Sequence, residues 1–200
     1  MPLPPYIEKY RKADDSDNSN YQTVFAKHLG SVAAPTASLH FTHDLLEKLK
    51  AKNVKIAYVT LHVGGGTFLP VKSETLDKHH MHTEIIHIDA ENAQIINQIK
   101  SQGGRVICVG TTALRVVESV ADDSGYLNSF TGETDIFIYP SYKFKICNLL
   151  MTNFHLPKST LFMLVCAFSG IDTMKQAYQI AQTMNYRFFS YGDACLLDNS

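Results

Sequence analysis

Apolar positions recur along the chain at two spacings, one helical and one alternating, and each change of spacing marks an element boundary. Leu45, Leu46 and Leu49 share a helical face behind Thr42, with Asp44 and Glu47 early and lysines late, which predicts a helix from about Thr42 to Lys52. Lys55 to Val63 is rich in β-branched and aromatic residues and predicts a strand running into Gly64, Gly65 and Gly66. Glu84 to Asp89 alternates as a strand, and Ile95, Ile96 and Ile99 then lie on one face of a helix that begins at Ala90 and ends at Gly103 and Gly104. Arg105 to Gly110 reads as a buried central strand, followed by a helix opening at Thr111 and Thr112. Further strands are expected from Asp135 to Pro140 and from Ile146 to Met151, and further helices from near Ser159 and from about Thr173 to Met184.

Strands alternating with helices of this length predict an α/β fold with a largely parallel sheet flanked by helices. The first 20 residues, proline-rich and then acidic and rich in Asn and Ser, read as a lead-in or linker, with residues 21–200 forming part of one domain. A composition that is 45% hydrophobic and 18% charged suits such a domain. The net charge of −1 removes the basic footprint of a nucleic-acid binder at whole-chain level, so any RNA contact must be local. Cys108, Cys147, Cys166 and Cys195 lack paired metal-ligand spacing and read as buried, reduced thiols. No apolar run is long enough to cross a bilayer and the start lacks the order of a signal peptide, which makes the cytoplasm the expected location.

Candidate chemistry lies at the junctions. The helix start at Thr111 and Thr112 offers free backbone N–H groups to an anion, although a plain βα junction accounts for it as well. Gly64, Gly65 and Gly66, ending in Thr67, let a backbone approach a ligand closely, or simply turn. Neither dinucleotide nor P-loop spacing is present. His79, His80, His82 and Glu84 have the side chains of a zinc site but lack helical His spacing, and polar surface is the plainer reading. Asn153, His155 and Lys158 fall between a buried strand and a helix, where α/β proteins place ligands. Ser190, Tyr191 and Asp193 mark a glycine-bearing turn, and His40 and His62 each lie beside a turn. No nucleophile elbow accompanies these histidines.

Eight blocks, in order, carry a resemblance to a known family: MPLPPYI, YQTVFAKHLGSVAAPTASLHFT, VTLHVGGGTFLPV, HHMHTE, VGTTALRVVES, TDIFIYP, LMTNFHLPKSTL and YRFFSYGDACLL. They are similar to the S-adenosylmethionine:tRNA ribosyltransferase-isomerases of queuosine biosynthesis, and resemble the C-terminal part of a family chain. The resemblance implies transfer and isomerisation of the ribosyl group of S-adenosylmethionine onto 7-aminomethyl-7-deazaguanine at the tRNA wobble position, giving epoxyqueuosine. It implies no metal, and partners limited to the tRNA and S-adenosylmethionine.

Under that resemblance His40, His62 and His155 are the candidate bases, and Asp135 and Asp193 hold ribose hydroxyls or orient a histidine. Thr111 and Thr112 receive the methionine carboxylate. Arg115 and Lys158 contact phosphate or carboxylate. Gly64, Gly65, Gly66, Thr67, Ser190 and Tyr191 complete the expected substrate contacts. The family's N-terminal portion and small β-barrel domain are missing from the match. A monomer is expected, or a chain paired with an N-terminal polypeptide. The competing expectations are an inactive or split-enzyme fragment and, third, a metal-dependent hydrolase using the His79 to Glu84 cluster.

Overall fold

A computed structural model describes residues 14, 17–27, 30, 31, 33–64 and 81–199. In chain order they form α1 (Asp17–Asn20), a 3-10 helix (Thr36–His40), α2 (His43–Ala51), β1 (Thr60–His62), β2 (Glu84–Ile88), α3 (Ala90–Ser101), β3 (Ile107–Val109) and α4 (Thr111–Val120). Then follow β4 (Phe130–Thr134), β5 (Leu149–Asn153), α5 (Thr160–Ser169), α6 (Ile171–Thr183) and β6 (Ala194–Asp198).

Three helices start where a side-chain oxygen takes an otherwise orphaned backbone N–H. Thr42 accepts from Leu45, Asp89 from Asn92 and Ser159 from Phe162. The α4 helix begins differently, at Gly110 with φ 90° and no side-chain cap. Only glycine adopts that backbone conformation without strain.

The α/β class holds, but among the described residues the expected largely parallel sheet is replaced by two three-stranded sheets in which one pair alone is parallel. In the first sheet β2 is flanked by β1 and β4, both antiparallel to it. In the second, β5 runs parallel to β3 and antiparallel to β6. The physical reason lies in the alternation along β2: Glu84, Ile86 and Ile88 are buried while Ile85 and His87 face solvent. A sheet with one wet face suits antiparallel pairing. The helix α3 carries the chain from the first sheet to the second rather than back into the same sheet.

Arg105 to Gly110 was expected to be the central strand. That place is taken by β5, whose residues are buried on both faces, whereas β3 borders the sheet among the described residues and leaves Ile107 49% exposed. Asp135 to Pro140 forms no strand pairing among the described residues. The pairing falls instead on Phe130–Thr134, and Ile136 and Ile138 pack into the core from an extended segment.

Between the two sheets lies α4, and five consecutive residues of it, Leu114 to Glu118, are buried. A helix covered on all sides is normally apolar all round. Here Leu114 and Val117 join the main core with Cys108, Leu150, Leu164 and Leu197, and Val116 packs on Leu61 and Ile86 of the first sheet. The two charged residues are paired. Arg115 forms an ion pair with Glu84 at the start of β2. Glu118, 1% exposed, accepts from the N–H groups of Lys145, Ile146 and Cys147 and from the Tyr142 hydroxyl, tying down the loop that leads into β5.

Candidate functional site

The parallel pair ends where α4 begins. The Gly110 N–H donates to the Met151 carbonyl at 2.8 Å, and the next residues open the helix without a capping side chain at its first position. Strand ends of this kind are the usual ligand position of α/β proteins. The 3-10 helix lies across it: a Cβ on Gly110 would meet the Ala37 side chain at 3.6 Å.

Asn153, the last residue of β5 and 2% exposed, gathers the surroundings. Its Oδ1 accepts from the Thr36 hydroxyl at 3.0 Å, and its Nδ2 donates to the Gly192 carbonyl at 3.2 Å. The same Nδ2 lies 3.4 Å from His40 Nε2. The Gly192 carbonyl needs a donor, which fixes the amide orientation, and an amide N–H facing Nε2 requires that nitrogen to be the unprotonated one. His40 is itself exposed.

Asp193 stands on the far side of this group, where its carboxylate accepts from the Arg187 N–H and from the guanidinium, each at 2.8 Å. These hydrogen bonds, with the Arg187 charge, hold its carboxyl below the usual range. The neighbouring Tyr191 reaches the other way, donating to Asp17 at 3.2 Å while its ring packs on Tyr21. Ser190 is half-buried in the same turn.

His155 belongs to a different surface. Successive residues of a strand point to opposite faces, so Thr152 turns away from the side that Asn153 serves. His155 Nε2 lies 2.9 Å from the Thr152 hydroxyl, and its backbone N–H donates to the Tyr178 hydroxyl. Burial lowers its pKa to about 4, so the ring is neutral at neutral pH. Burial also raises the Tyr178 phenol.

The remaining expected residues are spread. His62 closes β1 with its ring against Gly30, where an added Cβ would come within 3.1 Å of Nδ1. Val63 beside it donates to the Ser31 hydroxyl. Gly64 follows, with no described residue within 4 Å of where a Cβ would stand. Asp135 is exposed just beyond β4 in the first sheet, and Lys158 is exposed in the turn before α5 with φ 58°. Arg115 is buried against Glu84 rather than presented at the surface. Gly65, Gly66, Thr67, His79 and His80 lie outside the described residues.

Of the suggested metal cluster, His82 is exposed, while Glu84 is buried in its ion pair with Arg115. Among the described residues no three His, Cys, Asp or Glu side chains converge as a ligand set. Thr36 and Arg187 escaped sequence reasoning, and Asn153 was noted without its role. Only the place of Asn153 at the end of a buried strand pointed to it, because its partners are remote in sequence.

Comparison with known proteins bears on this arrangement. Residues 1–197 match the family described as queuosine biosynthesis protein. The S-adenosylmethionine:tRNA ribosyltransferase-isomerase of Brucella ovis is 57% identical over 198 residues, covering 99% of this chain and 54% of that protein. Its counterpart in Brucella anthropi is 56% identical over 200 residues, covering 100% and 55%. Among solved structures, the S-adenosylmethionine tRNA ribosyltransferase of Thermotoga maritima matches with a TM-score of 0.66 at 41% identity, over 80% of this chain and 50% of that one. The chain thus spans about half the length of the curated relatives it matches. With nearly every residue inside the family match and more than half identical to named members, the chain belongs to the queuosine biosynthesis protein family.

Proposed function

We propose that this chain takes part in transferring and isomerising the ribosyl group of S-adenosylmethionine onto 7-aminomethyl-7-deazaguanine at the tRNA wobble position, with adenine and methionine released. The observation that carries the proposal is the cluster of Asn153, His40 and Thr36 beside the open first turn of α4, in a chain of this family. Such a reaction needs a base to remove a proton next to the sulfonium, a proton for departing adenine, and a fixed alignment of amine and ribose hydroxyls. His40, exposed at the edge of this cluster, is the candidate for the first role, with the Asn153 amide beside its Nε2. Asp193, held ionised by Arg187, suits contact with ribose hydroxyls. No metal enters this reading, because the donor sulfonium is already activated. The cytoplasm, where tRNA is modified, is its proposed place of action, and no helix among the described residues is long and apolar enough to cross a membrane.

A second reading is favoured by one observation, the 54–55% coverage of the curated relatives. Under it residues 21–200 are the C-terminal part of the family's α/β domain, with residues 1–20 as a lead-in, and the chain is an inactive or split-enzyme fragment. One assay separates the two. The purified chain is incubated with S-adenosylmethionine and tRNA carrying the deazaguanine base, and adenine release is followed. Turnover like that of a full-length relative supports independent activity. Turnover only after adding an N-terminal polypeptide identifies a split enzyme, and no turnover under either condition refutes the transfer reading for this chain.

A further inference from the structure

Three aromatic rings gather beside the His40 end of the 3-10 helix. Phe25 stands within reach of the other two, its ring centroid 5.9 Å from that of Phe41 and 6.1 Å from that of Tyr58, tilted to both. Phe41 directly follows His40, and its backbone N–H closes the 3-10 helix on the Ser38 carbonyl. The Tyr58 N–H donates to Asn92 Oδ1 at 2.6 Å, which fixes that ring through the main chain and leaves its side chain free of this task. Phe25 and Phe41 are half-buried, Tyr58 is 49% exposed, and none of the three joins a hydrophobic cluster among the described residues.

The charge around these rings departs from that of the chain as a whole. Residues 21–58 carry five lysines against two carboxylates, although the whole chain stands at −1. Lys27 follows Phe25 by two residues, Lys55 precedes Tyr58 by three, and both are exposed. Lys50 is exposed on α2, and its pKa is raised by Glu47 first and also by the Tyr58 phenol, which brings its ammonium near that ring. Accessible aromatic rings with cations among them are the two components that hold single-stranded nucleic acid, bases stacking on the rings and phosphates meeting the cations. A protein partner fits less well, because lysine is depleted in protein interfaces.

We propose that the face formed by Phe25, Phe41 and Tyr58, with Lys27, Lys50 and Lys55 around it, docks unpaired RNA nucleotides flanking the base that is modified. The proposal rests on the transfer reading for the identity of that RNA, an anticodon loop, while the location comes from this chain's own rings and charges. RNA loops present unstacked bases that aromatic side chains take up, whereas a paired stem offers shape and phosphates. Because His40 is the neighbour of Phe41, nucleotides held here stand next to the residue named for proton removal.

The test measures binding of a labelled anticodon stem-loop RNA, and of a fully paired RNA of equal length, to the whole chain by fluorescence anisotropy at several salt concentrations. The expected result is a preference for the stem-loop, about tenfold weaker binding in Tyr58→Ala, and recovery in Tyr58→Phe, which keeps the ring. Circular dichroism of each variant reports folding. Lys50→Gln combined with Lys55→Gln should reduce the slope of log affinity against log salt by about 0.7 for each phosphate contact removed. Unchanged stem-loop affinity in Tyr58→Ala, or an unchanged salt slope in the lysine variant, overturns the face. Equal binding of the paired RNA, or no binding of either RNA, does the same. An N-terminal polypeptide of a full-length relative is also added: if it displaces the RNA while covering Tyr58, the face is its seat and the proposal falls. Adenine release is measured separately, so that RNA binding as expected without release keeps the face and removes the transfer reading, and release with binding insensitive to these variants does the reverse.

Discussion

Thr36 and Asn153, 117 positions apart in the sequence, meet through a hydroxyl-to-amide hydrogen bond of 3.0 Å that joins the 3-10 helix to the end of β5. The bond orients the one side chain whose amide also faces His40 and the Gly192 carbonyl. Replacing Asn153 with Ala leaves the Thr36 hydroxyl and the Gly192 carbonyl without their partner. We expect a loss of about 1–3 kcal/mol in urea unfolding. A double-mutant cycle with Thr36→Ala should show coupling between the two sites, and strict additivity would mean that the bond does not hold them together.

Glu118→Gln tests the anchoring of the loop before β5. The carboxylate takes three backbone N–H groups and a phenol, and the amide of glutamine would turn a donor toward donors. A loss of about 2–4 kcal/mol is expected from a buried, charge-assisted network. Unchanged thermal and urea midpoints would contradict the role given to Glu118.

His155 predicts how stability depends on acid. Its folded pKa of about 4 lies below the unfolded value near 6.5, so the unfolded chain binds the proton first. The stabilisation is complete above about pH 6.5, falls as pH drops toward 4, and reaches a loss of about 3 kcal/mol at most. Carboxylates such as Asp193, whose pKa is lowered, lose their contribution only at lower pH. Unfolding curves across this range should be flatter in His155→Gln than in the parent chain. Identical slopes would show that the ring is not held neutral.

Metal removal should change nothing. The sulfonium of the donor supplies the leaving-group activation that a metal-bound water or Lewis acid supplies elsewhere. Prolonged chelation should therefore leave the melting temperature unaltered, and elemental analysis should find no stoichiometric zinc. Loss of folding on chelation would return the His79 to Glu84 segment to consideration.

Amide exchange should rank the strands of the second sheet. Leu150 to Thr152 sit between two paired neighbours, whereas Ile107 to Val109 border the sheet among the described residues. Slower exchange in β5 than in β3 is the expected order. The reverse order would restore β3 to the centre.

Helix positions were legible because their signals are local: Thr42, Asp89 and Ser159 cap the helices expected behind them. Strand partnership was not. Phe130–Thr134 has a weak strand signal, with Gly132 at its middle, yet pairs along its whole length with β2. In the Asp135 to Pro140 segment Ile136 and Ile138 satisfy the pattern by burial, with no strand pairing among the described residues. The site followed the same division. Thr111 at a helix start and Asp193 beside a glycine-bearing turn are recognisable, but the meeting of Thr36, His40 and Asn153 depends on how the 3-10 helix folds across the second sheet. Arg115 was named for phosphate or carboxylate contact, and its burial against Glu84 was not legible because sequence does not reveal that a helix lies between two sheets.

The burial of α4 from Leu114 to Glu118 governs how the molecule comes apart. Val116 seals the first sheet, Leu114 and Val117 seal the second, and Arg115 and Glu118 fasten the helix to β2 and to the loop entering β5. Neither sheet keeps its hydrophobic cover if this one helix unwinds. The two sheets therefore melt together, as a single cooperative transition, even though no strand is shared between them among the described residues.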